Sequence, residues 1–178
     1  MMKKVIYLYR AFPEKIGGLT NNKHNGVYFR SGTNLVGLDL DTITHPCRSQ
    51  IVQNYSLREF EVDQNKFELL IKTLPSLGAR VTSVEVSPMN SDTSLKEDLD
   101  DAIYHQDIKT ILLLICQFRE QDVDIEAIEF FWQENRIKFT RLAELDLSAN
   151  APDISHVLNT LPIGILAGLV PDGDLNEE

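Results

Sequence analysis

Short apolar runs alternate with polar breaks through the first half of the chain. Residues 5–9, Val-Ile-Tyr-Leu-Tyr, are β-branched and aromatic over a length too short for a stable helix, and they predict a strand. Pro13, Gly17 and Gly18 predict a break after it, followed by an asparagine-rich polar loop over 20–26. Val27-Tyr28-Phe29-Arg30 and the run 35–40, separated by Ser31-Gly32, predict the two strands of a hairpin. Asp63 stands at a cap position before Phe67, Leu70, Ile71 and Leu74, which repeat at helical spacing, and Pro75 and Gly78 end that helix. Residues 80–86 predict another strand, with Val84 and Val86 on one face and Ser87-Pro88 closing it.

The second half carries the longer period. Ser94 and Glu97 form a capping-box pattern ahead of Leu95, Leu99, Ala102 and Ile103. Asp107 caps a run in which Ile108, Ile111, Leu112 and Ile115 keep helical spacing, while Leu113, Leu114 and Cys116 widen the apolar face and predict a buried helix. Residues 124–135 predict a further helix. Ile125, Ile128, Phe131, Trp132 and Asn135 fall on one side of it, and Glu126, Glu129, Gln133 and Glu134 on the other. Phe130 falls among the acids, one turn from both Glu126 and Glu134. Residues 136–146 fit either period, since Ile137 and Phe139 alternate while Leu142 and Leu145 suit a helix. Asp153 caps a short helix with Ile154, Val157, Leu158 and Leu161, ended by Pro162. An apolar segment follows over 163–170, and residues 171–178 are an acidic tail expected to fray. These elements predict an α+β fold: a small, mainly antiparallel sheet from the N-terminal half packed against several helices from the C-terminal half. One domain spans 1–170 and the flexible tail 171–178.

A length of 178 residues, 43% of them hydrophobic and 25% charged, suffices for a core without covalent staples. The two cysteines do not suggest a disulfide framework: Cys47 follows His45-Pro46 in a polar stretch and reads as a free thiol, and Cys116 reads as a small core residue. The opening Met-Met-Lys-Lys lacks a following cleavage site, and the apolar runs 111–116 and 161–170 fall short of the roughly 20 residues that span a bilayer. A cytoplasmic protein without membrane association is expected.

Charge changes the picture most. Residues 1–90 hold 11 Lys+Arg and 8 Asp+Glu, a net of +3; residues 91–178 hold 6 and 19, a net of −13, giving −10 for the chain. Such a field repels nucleic acid phosphates and favours encounter with basic proteins, among them nucleases with a cationic substrate groove. The alternative is a solvated face that confers solubility. The candidate partner-binding residues are Asp98, Asp100, Asp101, Glu120, Asp122, Asp124, Glu126, Glu129 and Glu134, with Phe130 as the aromatic anchor in their midst. Against that anchor stands its packing as ordinary core beneath another segment, such as 161–170.

One string has a catalytic look. Gly37-Leu38-Asp39-Leu40-Asp41-Thr42-Ile43-Thr44 places two carboxylates two residues apart after an apolar strand, and it resembles the nucleophile and general acid/base of haloacid dehalogenase-like phosphatases, which need Mg²⁺. It departs from that family at Ile43, where Thr or Val is favoured, and lacks a late Gly-Asp-x-x-x-Asp motif, since Asp172-Gly173-Asp174 lies in the tail. The alternative places Asp39 and Asp41 on the solvent face of a strand whose Leu38 and Leu40 point inward. His24, His45, His105 and His156 are scattered, the Cys47 and His45 pair lacks an orienting third group, and Gly17-Gly18 lacks the lysine and serine of a phosphate loop. No metal, nucleotide or other cofactor is expected.

The acidic pole, the absence of a complete active site and the stretches Tyr9-Arg10-Ala11-Phe12-Pro13, Gly26-Val27-Tyr28-Phe29-Arg30 and Leu35-Val36-Gly37-Leu38-Asp39 resemble an immunity protein of a bacterial contact-dependent growth inhibition pair. That resemblance implies a cytosolic, non-catalytic protein that binds the toxin domain of its cognate effector, often a nuclease, and occludes its basic active-site surface. It carries over no particular residue, and a homodimer is left open.

Overall fold

The computed structural model describes residues 2–21, 24–30, 33–88, 93–149 and 153–160. The turn expected at Ser31-Gly32, the end of the last helix at Leu161 and Pro162, the apolar segment 163–170 and the tail 171–178 lie outside the described residues. In chain order the elements are β1 (Met2–Arg10), α1 (Pro13–Asn21), β2 (Val27–Phe29), β3 (Leu35–Asp39), α2 (His45–Asn54), α3 (Gln64–Thr73) with a 3-10 turn at Leu74–Leu77, and β4 (Arg80–Val86). There follow α4 (Thr93–Tyr104), α5 (Ile108–Glu120), β5 (Ile125–Trp132), β6 (Asn135–Thr140), β7 (Glu144–Ala149) and α6 (Ile154–Thr160).

All seven strands join one sheet in the order β2-β3-β1-β7-β6-β5-β4, and every pairing is antiparallel. The fold is α+β as the sequence indicates, but the sheet draws three of its strands from residues 125–149 and three helices form before residue 74. Alternation decides which side each strand residue faces. Ile6, Leu8, Leu35, Val81, Val84, Ile128, Phe130, Trp132, Ile137, Phe139, Leu145 and Leu147 point to one side, where Phe67, Leu99, Ile115, Phe118, Val157 and Leu158 of α3, α4, α5 and α6 cover them. On the other side Tyr9, Val36 and Leu38 meet Leu19 of α1 and Ile51 of α2. Among the described residues that second cover extends only over β2, β3 and β1, and no described helix lies over the other side of β4 to β7.

The predicted helix over 124–135 is instead the β5 strand and the turn into β6. Ile-Glu-Ala-Ile-Glu-Phe-Phe-Trp has apolar residues at both spacings, but its β-branched and aromatic side chains suit a pleated, half-buried surface, and tertiary pairing with β4 and β6 decides it. Gln133 and Glu134 make the tight connection with φ of 45° and 63°, and Trp132 faces Asn135 across it. Positive φ at both central residues matches the twist of the flanking strands, yet neither is the glycine or asparagine that marks such a turn in a sequence. Residues 136–146 resolve into β6, a turn over 141–143 with Ala143 at φ 59°, and the start of β7.

Two further expectations are corrected. Pro13 opens α1 rather than closing β1, since proline is tolerated in a first turn where its missing N–H has no helical partner. Cys47 lies in the first turn of α2, after Thr44 at the cap position and beside Pro46, and is an exposed free thiol; Cys116 on α5 is half-buried. Three predicted caps hold: Asp63 accepts from the Lys66 N–H at 2.9 Å, Asp107 from the Thr110 N–H at 3.2 Å, and Asp153 from the His156 N–H at 3.1 Å; the capping box expected at Ser94 does not, because α4 already starts at Thr93 and holds Ser94 within it. Gly78 ends the 3-10 turn at φ 71°. Gly37 is required for another reason: a Cβ there would sit 2.8 Å from Ile6 and 3.3 Å from Leu158, so α6 packs on β3 through the missing side chain.

Candidate functional site

The predicted acids are dispersed over three surfaces. Asp98, Asp100 and Asp101 lie exposed on α4, whose Leu95, Leu99, Ala102 and Ile103 are buried against the sheet and α5. Glu120 ends α5, Asp122 lies in the turn after it with φ 56°, and Asp124 precedes β5. Glu126 and Glu129 are on β5, and Glu134 is in the β5–β6 turn at the far end of the hairpin.

Phe130 is not displayed among them. It is 1% exposed and faces the helix-covered side of the sheet, because strand alternation places it with Ile128 and Trp132. The exposed neighbour is Phe131, at 46%, on the open side. An aromatic among carboxylates does occur, one helix pair earlier: Tyr104, at the end of α4, is 80% exposed. At 100° per residue it lies directly opposite the buried stripe and on the same face as Glu97, Asp100 and Asp101. Leu113 projects outward from the adjacent α5. A helical wheel of residues 93–104 carries this signal, since any face opposite Leu95, Leu99 and Ala102 contains Tyr104.

What separates α4 from the other acidic surfaces is the lack of ion pairs to lysine or arginine: its one cation, Lys96, lies one turn before Asp100 and pairs with none of its acids among the described residues. Arg119 bonds Glu68 at 2.9 Å, Arg136 bonds Glu129 at 2.8 Å, and Lys138 bonds Glu85 at 2.7 Å. Arg141 is shared by Asp124 at 3.4 Å, Glu126 at 3.5 Å and Glu61 at 3.8 Å. Among the described residues no Lys or Arg pairs with Glu97, Asp98, Asp100, Asp101, Glu120, Asp122 or Glu134; Asp101 meets only the ring of His105, at 3.5 Å. The outer face of α4 therefore keeps a net negative charge, with Glu97, Asp100 and Asp101 against Lys96, and an exposed aromatic lies in it.

The open side of the sheet is chemically different. Lys3 and Asp146 at 2.9 Å and Arg136 and Glu129 bridge neighbouring strands, Lys138 reaches across β5 to Glu85 on β4, and Thr82 donates to Glu129 at 3.0 Å. These pairs hold the Lys3 ammonium above its ordinary range through the Asp146 hydrogen bond, and the Arg136 guanidinium above its own through Glu129.

Asp39 is fully buried, the one charged residue so placed among those described, and does not point to solvent. Burial pushes its carboxyl up, but hydrogen bonds from Lys4 Nζ at 2.7 Å, Thr42 Oγ1 at 2.9 Å and the Asp41 N–H at 2.9 Å together outweigh it, so its pKa falls below the ordinary 3.8. Its backbone oxygen accepts from the Thr42 and Ile43 N–H groups. Asp39 thus closes the turn from β3 and ties it to β1, while Asp41 is exposed and Leu40 is half-buried.

No group of three or more His, Cys, Asp or Glu among the described residues is arranged to hold a metal ion, and none of the helices described is long and apolar enough to cross a membrane. Compared with known protein families, curated proteins and solved structures, the chain matches none.

Proposed function

We propose that this chain is a non-catalytic acidic binding protein that neutralises a cognate toxin domain, a basic nuclease, by covering its active-site surface, as an immunity protein of a contact-dependent growth inhibition pair does. The observation that carries the reading is the outer face of α4, where Tyr104 is 80% exposed among carboxylates that outnumber the one lysine of the helix, Lys96, and that no lysine or arginine pairs with among the described residues. An exposed aromatic supplies the desolvated anchor of an interface, and unpaired carboxylates supply steering toward a cationic groove and rejection of partners with like charge. Binding alone inhibits; no turnover is involved, and the compartment implied is the cytoplasm, where such a toxin meets its substrate.

The test is a complex with the toxin domain encoded beside this gene, followed by stopped-flow association at several salt concentrations. Association slows with rising salt, and the slope flattens when Asp100 and Asp101 are changed to Asn together. A neighbouring toxin that neither co-purifies with the chain nor loses activity in its presence removes the reading.

A further inference from the structure

The two edges of the sheet differ. β2 is three residues long and α6 lies against it, with Arg30 donating to the Leu158 carbonyl. β4 runs for seven residues and, among the described residues, has a strand on one side only. An edge of that length carries backbone N–H and C=O groups that a further strand can bind. Two features blunt it. The register against β5 shifts between Val81 and Ser83, so Val81 and Val84, three residues apart, both face the core and the strand is locally bent. The Val81 carbonyl is also engaged, accepting from Gln106 Nε2 at 2.7 Å.

Gln106 lies in the turn between α4 and α5 at φ 54°, a region glutamine seldom adopts, with its own N–H bonded to the Ile103 carbonyl at 3.0 Å. Its side-chain amide donates to two carbonyls, those of Val81 and Ile103. Carbonyls only accept, so both contacts need the NH₂ group and a carboxylate could not replace it. We infer that Gln106 fills the place where the backbone of a further strand would bind, and that it keeps the β4 edge closed to the β4 of a second copy of this chain. A second copy is the occupant because two β4 strands set antiparallel bring opposite charges together, exposed Arg80 near one end of each meeting exposed Glu85 near the other end of its mate. The inference concerns the sheet edge and stands apart from the toxin-binding reading, which concerns the outer face of α4.

The test removes the contact and leaves the turn in place. Gln106→Gly and Gln106→Asn both suit a positive φ, the first lacking the side chain and the second shorter by a methylene. Sedimentation equilibrium of the whole chain should show self-association at least roughly tenfold tighter in both variants than in wild type, with slower hydrogen exchange at the β4 amides of the associated form. Adding Thr82→Lys, at an exposed position in mid-edge, should return association to the wild-type level, since a two-fold pairing brings the new charge against its own copy. Self-association unchanged in both variants overturns the inference, as does association that survives Thr82→Lys or that protects amides elsewhere than β4. Failure of both variants to fold makes Gln106 a residue the turn itself requires, and overturns it too.

Discussion

Carboxylates line both the open side of the β4–β7 sheet and the outer face of α4, but they are answered differently. On the sheet Glu129 and Asp146 each meet an arginine or lysine on the neighbouring strand, and Glu85 meets Lys138 across β5, all at 2.9 Å or less. On α4 none of Glu97, Asp98 and Asp100 has such a partner among the described residues. Cross-strand neighbours stand within reach by the geometry of the ladder, so a sheet lends itself to mutual neutralisation. A helix surface pairs residues three and four apart; α4 sets Glu97 at those spacings from Asp100 and Asp101, with Lys96, four before Asp100, as its one cation, which leaves a net negative field and some repulsion within the helix. The same residue type thus serves cohesion in one place and display in the other.

The comparison stands on the sidedness of β5, and the largest effect tests that. Phe130→Ala should lose about 3–5 kcal/mol of unfolding free energy in urea, as deletion of a fully buried ring does; a variant of unchanged stability would put Phe130 outside the core and reverse the two sides of the sheet. Asp39→Asn separates a buried carboxylate from both surface classes. Removing the charge that faces Lys4 should cost about 2–4 kcal/mol at neutral pH, less than for a fully enclosed pair because Lys4 reaches solvent. The direction of its pKa fixes the pH dependence. A carboxyl held below 3.8 in the folded chain stabilises the fold above that value, and the contribution drains away as pH falls through the lower folded pKa. Stability curves of wild type and variant should therefore converge in acid, and parallel curves would deny Asp39 that role.

Smaller effects distinguish the two acidic surfaces directly. Tyr104→Ala should weaken toxin binding by about 1–3 kcal/mol, while its unfolding free energy stays within about 0.5 kcal/mol of wild type. Loss of stability with intact binding would make α4 a structural surface after all. On the open sheet, a double-mutant cycle of Lys138→Met with Glu85→Gln should return a coupling below about 1 kcal/mol, and no change in toxin association. A larger effect on association than on stability would move the display function to the sheet.

Local chemistry made part of this legible beforehand. The caps at Asp63, Asp107 and Asp153 and the strand at Arg80–Val86 were readable because each rests on signals within a few residues. β5 and β6 were not, because Ile125, Ile128 and Trp132 satisfy both periods and Gln133-Glu134 bear none of the usual marks of a two-residue turn. The structure of this hairpin is set by β4 and β7, which flank it in the sheet but not in the chain on both sides. α2 went unread for want of a stripe, with Ile51 as its buried residue. The acids of α4 were named from the sequence, but the exposed aromatic was expected at Phe130, and it is Tyr104 that the wheel burying Leu99 leaves exposed.

The position of β1 has a consequence for how the molecule comes to be made. It lies between β3 and β7, with Met2 facing Ala149, and so joins a hairpin unit from the first 39 residues to a meander that begins at residue 80. On the ribosome the earliest strand leaves the exit tunnel first and waits longest, one edge unpaired until nearly all of the described chain has emerged. Pairing of β1 with β7 can form only after residues 144–149 have emerged, whereas the buried link from Lys4 to Asp39 lies wholly within the first 39 residues.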